Sequence, residues 1–413
     1  MRSHRPDPAA DLVAPSPPAD TGRRRAGRAM RVALVGNHPP RRCGIATFTR
    51  DVADGLEALG CEVRVTAMGD PADGYPARVA TVVDPRSREA HARAGDAIRR
   101  WSPDAVLVQH EFGIYGGPSG LWLADLLDRA GAPAVATLHT VLERPSPPEA
   151  RALAALAGRA DRLVVMARTG AAILARGGPG LPRIDPARVD VVPHGAPDRP
   201  FERPVRARAR LGWPDVPTLL TFGLLSPGKG IEHAIDALPR ILERVPEARY
   251  VLLGATHPDL VAREGEAYRG ALVARARSLG VEHALDMVPR YVEDAELGDA
   301  LAAADLYVTP YANPAQITSG TLAYALALGK PVLSTPYAHA REVLPLEQLV
   351  PHGDAAALGE RAAALLTDPA RLDAVARRTW TAARGSVWPA VSRRTLAILG
   401  AVARRAPALR EAG

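Results

Sequence analysis

From residue 31 onward, short runs of β-branched and other apolar residues alternate with longer segments whose apolar residues recur at helical spacing. The first run is RVALVG at 31–36, and the next segment, TFTRDVADGLEALG at 47–60, places Phe48, Val52 and Leu56 on one face of a helix. Further strand-like runs are CEVRVTAM, AVLVQHE, AVATLHT and RLVVMA. Strands that alternate with helices of this length predict a parallel sheet covered by helices on both faces.

A second cycle of the same kind follows the proline-rich stretch DVVPHGAPDRPFERP at 190–204, which predicts a domain boundary. Its strands are predicted at TLLTFG, ARYVLLG, ALDMVP, DLYVTP and PVLST. The predicted fold class is therefore α/β, with two doubly wound, Rossmann-like domains whose ligand loops face a cleft. Residues 30–198 would form the first domain and 199–385 the second. Residues 386–413 are predicted to form a helical segment that packs back toward the first domain.

The N-terminal stretch differs from the rest of the chain. Its first 29 residues are rich in Pro, Ala and Arg and contain no apolar run, which predicts a disordered basic tail rather than a secretory signal. No stretch approaches the roughly 18 consecutive apolar residues that span a bilayer. The two isolated cysteines, Cys43 and Cys61, suit a reducing compartment. These features predict a cytoplasmic protein whose translation starts at Met1 or at Met30.

Composition narrows the choice of partners. The chain has 413 residues, of which 47% are apolar and 23% charged, as is typical of a globular protein. Its net charge is +7, but six arginines against three aspartates in the first 29 residues account for part of this excess. With aromatic residues at only 4%, a nucleic-acid partner is not predicted. Anionic substrates and peripheral contact with an acidic membrane surface remain open.

A phosphate-binding site is predicted where two loops follow strands of the second cycle. The stretch ITSGT at 317–321 opens a helix, whose first amides are free to bind an anion. The stretch GLLSPGKG at 223–230 brings one ammonium group to the same edge of the sheet. The residues expected to contact the phosphates are Lys229, Thr318, Ser319, Gly320 and Thr321.

The sequence resembles the family 4 (group 1) glycosyltransferases of the GT-B fold over nearly all of residues 30–400. The resemblance rests on these two loops and on further segments that follow one another in the family's order: VVPHG, VLLGATHP, ADLYVTPY, GTLAYALALGKPVLSTPY and HARE. The resemblance implies a retaining hexosyltransferase that needs no metal and no other cofactor. It also implies a UDP- or GDP-linked hexose bound by the C-terminal domain and a saccharide or lipid-linked acceptor bound by the N-terminal one. The chain contains no Asp-x-Asp pair of the kind that binds Mg²⁺ in the other major transferase fold.

Four further residues take their roles from this resemblance and from their places at strand ends. The resemblance implies that His139, at the end of AVATLHT, contacts the transferred sugar and that Gly44 approaches the donor phosphate. It also implies that Glu342, in HARE, contacts the donor ribose. Glu111, at the end of AVLVQHE, is the carboxylate of the first domain best placed to orient an acceptor hydroxyl.

The sequence departs from the family at two acidic positions. Family members usually carry two glutamates eight residues apart, where this chain has Gln316 and Tyr324, and an arginine where it has Leu224. Gln316, as part of the catalytic set with His139 and Glu111, can still bind sugar hydroxyls, and Tyr324 can hydrogen-bond through its phenol. Changed donor recognition is predicted. Two alternatives remain: a binding or scaffold protein without turnover, and a phosphorylase of related fold that uses a sugar phosphate.

Overall fold

The computed structural model describes residues 28–178 and 180–405, which divide into two compact units. One unit combines the residues up to His194 with those from Trp388 onward, and the other spans Gly195–Val387. Residues 1–27 of the predicted basic tail, and with them the possible start at Met1, lie outside the described residues.

The first unit is built on a seven-stranded parallel sheet. Its strands are β1 (Arg31–Gly36), β2 (Glu62–Met68), β3 (Val79–Val83), β4 (Ala105–His110), β5 (Ala134–Leu138), β6 (Arg162–Val165) and β7 (Val189–Val191). They are hydrogen-bonded in the order β3-β2-β1-β4-β5-β6-β7, and each neighbouring pair is parallel. The order reverses between β1 and β4. In doubly wound sheets, ligands bind outside the carboxyl ends of the strands at such a reversal.

Helices from both ends of the chain cover this sheet. They are α1 (Gly44–Ala58), α2 (Arg88–Trp101), α3 (Leu123–Ala130), α4 (Pro147–Ala157), α5 (Arg168–Arg176) and α15 (Trp388–Arg405). The last of them, α15, packs against α1, β4 and β5. Its residues Val391, Leu399 and Val402 share one buried apolar cluster with Val52 and Leu56 of α1. The apolar face of α15 therefore completes the core of the first unit.

The second unit contains a five-stranded parallel sheet. Its strands are β8 (Thr218–Phe222), β9 (Arg249–Leu253), β10 (Leu285–Val288), β11 (Leu306–Thr309) and β12 (Val332–Ser334), in the order β10-β9-β8-β11-β12. Its helices are α6 (Pro204–Leu211), α7 (Ile231–Leu242), α8 (Pro258–Glu264), α9 (Ala267–Ser278), α10 (Asp294–Ala303), α11 (Gly320–Ala327), α12 (Ala338–Val343), α13 (Ala355–Leu366) and α14 (Pro369–Ala382). The strand order reverses between β8 and β11. Throughout the described ranges, no helix has the length and apolar character that crossing a bilayer requires.

The hydrophobic pattern predicts all five strands of the second sheet but misses two strands of the first. Both missed strands, β3 and β7, lie at the edges of the sheet. In β3 only Val83 is buried, and in β7 the central Asp190 forms an ion pair of 2.7 Å with Arg162. Position at an edge does not by itself explain the omissions, because the half-buried edge strand β10 was predicted. β7 has three residues with a charged one at its centre and so has no apolar run, whereas the run VATVV of β3 is typical of a strand and was missed.

Candidate functional site

Lys229 lies in a tight turn at the carboxyl end of β8, where the strand order of the second sheet reverses. Two features fix this turn to the loop after β11. The amide of Ala312 donates to the carbonyl oxygen of Gly228 at 3.1 Å. Gly230 has a φ of 62°, and a Cβ at this position would collide with the carbonyl oxygen of Pro310. A glycine is therefore required here, and it keeps the lysine at the strand end.

Tyr311 connects this lysine to the start of α11. Lys229 Nζ lies 4.2 Å from the centroid of the Tyr311 ring, a cation–π contact. The Tyr311 hydroxyl is 2.6 Å from Thr321 Oγ1, which is 3.1 Å from Ser319 Oγ. Burial alone would raise the pKa of Tyr311, but the Lys229 ammonium and the neighbouring hydroxyls outweigh it, so the pKa is lowered. The two loops predicted to bind phosphate are thus in contact.

The start of α11 keeps several hydrogen-bonding groups without a partner in the protein. Ser319 caps the helix, because its Oγ accepts the amide of Leu322 at 3.3 Å. The amides of Gly320 and Thr321 have no hydrogen-bond partner within the described residues. The hydroxyl oxygen of Thr318 is buried and likewise unpaired. Two backbone donors and one hydroxyl are therefore available to an anion at this helix end.

Other groups of the same loop are already engaged within the chain. The amide of Ser319 donates to Nδ1 of His339, on α12, at 2.9 Å. The side-chain Nε2 of Gln316 donates to the carbonyl oxygen of Thr318 at 3.0 Å, and its backbone oxygen accepts the amide of His339 at 3.0 Å. Gln316 is thereby fixed in place. Its Oε1 has no partner in the described part of the chain and can accept a hydrogen bond from a ligand.

Tyr324 and Glu342 lie at the edge of this cluster. Tyr324 is on α11 and half-buried, with its ring centroid 6.2 Å from that of Phe222, the last residue of β8. Glu342 is on α12 and partly exposed. Tyr324 therefore packs as an aromatic residue while it keeps some access to solvent.

In the first unit, His139 follows β5 directly and packs edge-on against Phe48 of α1, with the ring centroids 4.8 Å apart. Its Nε2 is 3.0 Å from Oε1 of Gln109, the penultimate residue of β4. Desolvation by burial lowers the pKa of His139 to about 3, with smaller contributions in the same direction from His194 and His110. The ring is therefore neutral at physiological pH.

Glu111 follows β4 and is tied to the loop after β5. Its Oε2 accepts a hydrogen bond of 2.6 Å from the hydroxyl of Thr140, and its Oε1 accepts the amide of Phe112 at 2.9 Å. Each oxygen has a second lone pair for an incoming hydroxyl. Because Thr140 is next to His139 in the chain, the carboxylate and the imidazole belong to the same edge of the sheet.

Gly44 is the first residue of α1 and is exposed. The residue before it, Cys43, caps the helix by accepting the amide of Ala46 on Sγ at 3.4 Å. No heavy atom lies within 4 Å of where a Cβ of residue 44 would be. The backbone is therefore sterically open to a ligand at this helix end.

The predicted residues fall into two groups. In the second unit Lys229 is brought together with the 318–321 loop, and in the first unit His139 with Glu111. Sequence reasoning missed the residues that connect each group, Tyr311 and Gln109. Both are polar residues near the carboxyl end of a buried strand, but neither is next to a predicted site residue, so the sequence did not single them out. No three His, Cys, Asp or Glu side chains form a metal-binding group in the described residues.

Two family models match the chain in regions that correspond to these two groups. Residues 43–199 match the model described as Glycosyltransferase Family 4, and residues 216–368 match Glycosyl transferases group 1. Together these regions cover roughly three quarters of the chain. The chain belongs to the family 4, group 1 glycosyltransferases. The family membership predicted from the motifs is therefore confirmed.

Relatives of this glycosyltransferase-family protein include two inositol-related enzymes. A phosphatidyl-myo-inositol mannosyltransferase of Mycobacterium leprae is 30% identical over 167 residues, which cover 38% of this chain and 40% of that protein. A D-inositol 3-phosphate glycosyltransferase of Kineococcus radiotolerans is 31% identical over 235 residues, 52% of each chain. The chain thus spans about half or less of the length of these relatives.

Solved structures show the fold. HepE of Anabaena, solved with UDP and glucose, has a TM-score of 0.70 and is 17% identical, over 90% of this chain and 100% of that chain. A sucrose-phosphate synthase of Thermosynechococcus elongatus has a TM-score of 0.70 and is 18% identical, over 90% of this chain and 99% of that chain. The predicted fold class, two Rossmann-like domains of the GT-B type, is confirmed.

Proposed function

We propose that the protein is a retaining, metal-independent glycosyltransferase that transfers a hexose from a nucleotide sugar to a hydroxyl group of a carbohydrate or glycolipid. The names of the relatives support sugar transfer, since they are a mannosyltransferase and a glycosyltransferase that act on inositol lipids or inositol phosphate. The UDP and glucose bound to HepE support a nucleotide-sugar donor.

The observation that carries this proposal is the contact between Lys229 and the 318–321 loop through Tyr311. A leaving nucleoside diphosphate gains negative charge as the glycosidic bond breaks. An ammonium group and free helix amides at its phosphates would stabilise that charge without a metal ion. In this proposal Gln316 accepts a hydrogen bond from the donor sugar.

His139 and Glu111 would act on the sugar and on the acceptor. In a single step, retention requires that the acceptor hydroxyl form its bond to the anomeric carbon on the face from which the phosphate leaves. The departing phosphate oxygen can then take the hydroxyl proton, so no separate protein nucleophile is needed. Glu111, held by Thr140, would orient the acceptor hydroxyl in the same step.

The first test is a thermal-shift screen of the full chain with UDP, GDP, ADP and their hexose derivatives. A ligand at about 100 times its dissociation constant stabilises the folded state by roughly 2.7 kcal/mol, which is readily measured. We expect UDP or GDP and one of its sugars to stabilise the protein, with and without EDTA. Incubation of that sugar with candidate acceptors, followed by NMR of the product, then gives the anomeric configuration. An inverted product or an EDTA-sensitive reaction would contradict the mechanism.

A binding protein without turnover is the second candidate, for a specific reason. The amide of Ser319 and the side-chain nitrogen of Gln316 already have partners within the chain, so two groups of the predicted donor site are occupied. This candidate predicts that a nucleotide sugar stabilises the protein but is neither transferred nor hydrolysed. Transfer to any acceptor would exclude it.

A further inference from the structure

Gln109 and His139 form a buried pair at the carboxyl edge of the first sheet. Strands β4 and β5 are neighbours, and Gln109 is in register with Thr137, two residues before His139. Gln109 is fully buried, and its Oε1 lies 3.0 Å from His139 Nε2. A glutamine on a buried central strand loses its hydrogen bonds to water, so a partner within the protein is required.

The surroundings of Gln109 leave its side chain little freedom. A Cβ at Gly36, on the adjacent β1, would lie 3.0 Å from the Cβ of Gln109, so the missing side chain there makes room for the glutamine. The hydroxyl of Tyr115 donates to the backbone oxygen of Gln109 at 2.8 Å and holds this part of the strand. Tyr115 thus holds the backbone at Gln109, and the close approach of β1 limits the space for the side chain.

The pair determines which nitrogen of His139 carries the proton. A neutral imidazole has one N–H, and the partner of one nitrogen decides the state of the other. In the structure the carbonyl oxygen of Gln109 faces the ring, whereas its Nε2 is buried without a partner in the described part of the chain. In this orientation of the amide, His139 Nε2 carries the hydrogen and donates it to Oε1. Nδ1 then has a free lone pair, and it has no hydrogen-bond partner in the described part of the chain.

We propose that Gln109 is a positioning residue that holds His139 as the Nε2–H tautomer and so presents Nδ1 as a hydrogen-bond acceptor for a hydroxyl group of the transferred sugar. This proposal rests on the proposed function for its substrate, but the tautomer can be measured without one. The titratable side chains that face His139 are His110, on β4, and His194, which follows β7. Glu111 is held nearby through Thr140.

The decisive measurement is a long-range ¹H–¹⁵N correlation spectrum of the full chain labelled with ¹⁵N-histidine, recorded near neutral pH. The His139 signals are assigned by their loss in His139→Gln. We expect a protonated Nε2 and an unprotonated Nδ1. A protonated Nδ1, or an imidazolium, would overturn the proposal even if the protein proves to be an active transferase. The expected tautomer would stand even if no sugar transfer were found.

The replacement Gln109→Met removes the acceptor and keeps the length of the side chain. We expect His139 to become a mixture of tautomers and kcat/KM to fall about tenfold, the value of one hydrogen bond, with most of the change in kcat. Gln348→Met is the matched control, because Gln348 is also buried but lies in the second unit. It should change neither the His139 signals nor kcat. If Gln109→Met lowers only the unfolding temperature and leaves the tautomer unchanged, the role of Gln109 is structural and the proposal is wrong.

Discussion

Replacement of Lys229 by methionine tests the proposed anion site most directly. The chain has two lysines, and the other, Lys330, is buried with its Nζ donating to the carbonyl oxygens of Ala302 and Ala304. Lys229 is therefore the lysine available to a diphosphate. In Lys229→Met the cation–π contact with Tyr311 is lost, which should lower the free energy of unfolding by only about 0.5–1 kcal/mol. The variant should therefore remain folded.

The effect on binding should be much larger than this effect on stability. A hydrogen bond to a charged group contributes roughly 1.5–3 kcal/mol, and tenfold in affinity corresponds to about 1.4 kcal/mol. We therefore expect the dissociation constant of the nucleoside diphosphate to rise roughly 10- to 150-fold. Tyr311 holds the ammonium in place before the ligand arrives, which favours the upper part of this range.

Titration calorimetry of the wild type, Lys229→Met and Arg244→Met with UDP and GDP provides the assay. Arg244 is an exposed residue that follows the far end of α7, the helix of 12 residues that begins next to the Lys229 turn, so its replacement removes one positive charge at the opposite end of that helix. It should leave the affinity nearly unchanged. A change of less than about threefold in Lys229→Met, or equal changes in both variants, would refute the assignment of Lys229 to the phosphates.

Two further predictions concern stability. Burial lowers the pKa of His110 to about 4, so between pH 6.5 and 4 the unfolded chain binds a proton that the folded chain excludes. The replacement His110→Phe should therefore raise the free energy of unfolding by about 2 kcal/mol at pH 5 but by little at pH 7. Urea titrations at both pH values measure this difference. The replacement Gly230→Ala should lower the free energy of unfolding by at least about 1–2 kcal/mol, because residue 230 has a positive φ and a Cβ there would collide with the carbonyl oxygen of Pro310. Gly228→Ala is in the same turn with open space around it and should lower that free energy less. Equal urea midpoints for the two variants would contradict this explanation.

The sequence was sufficient for most of the fold. All five strands of the second sheet were predicted, including the half-buried edge strand β10, and α7 has clear 3.6-residue spacing. Two edge strands of the first sheet were not predicted: β7 is only three residues long with a charged centre, and the run VATVV of β3 was missed. The packing of α15 on α1 depends on contacts between residues more than 300 positions apart in the chain, which periodicity alone does not reveal.

For the candidate site, the sequence suggested the charged and hydroxyl-bearing residues more readily than the residues that hold them in place. Lys229 and Ser319 were recognised because lysine is rare in this chain and a hydroxyl before a helix is a familiar N-cap. Gln109 resembled one more residue of a buried strand, and Tyr311 one more aromatic residue of the core. Their roles arise from partners on other strands, which become visible only when the register of the sheet is known.

The loss of the two family glutamates has opposite consequences for the two parts of a nucleotide sugar. At the ribose, replacement of a charged acceptor by the phenol of Tyr324 should weaken binding by roughly 1–2 kcal/mol. At the diphosphate, the same replacement removes a negative charge that would repel it, and it leaves Lys229 without a competing carboxylate partner among the described residues. Under the proposed function, recognition of the donor should therefore depend more on contacts with its phosphates than on contacts with its ribose. A donor site of this kind would still bind the leaving diphosphate, which is the part of the donor whose negative charge increases as the glycosidic bond breaks.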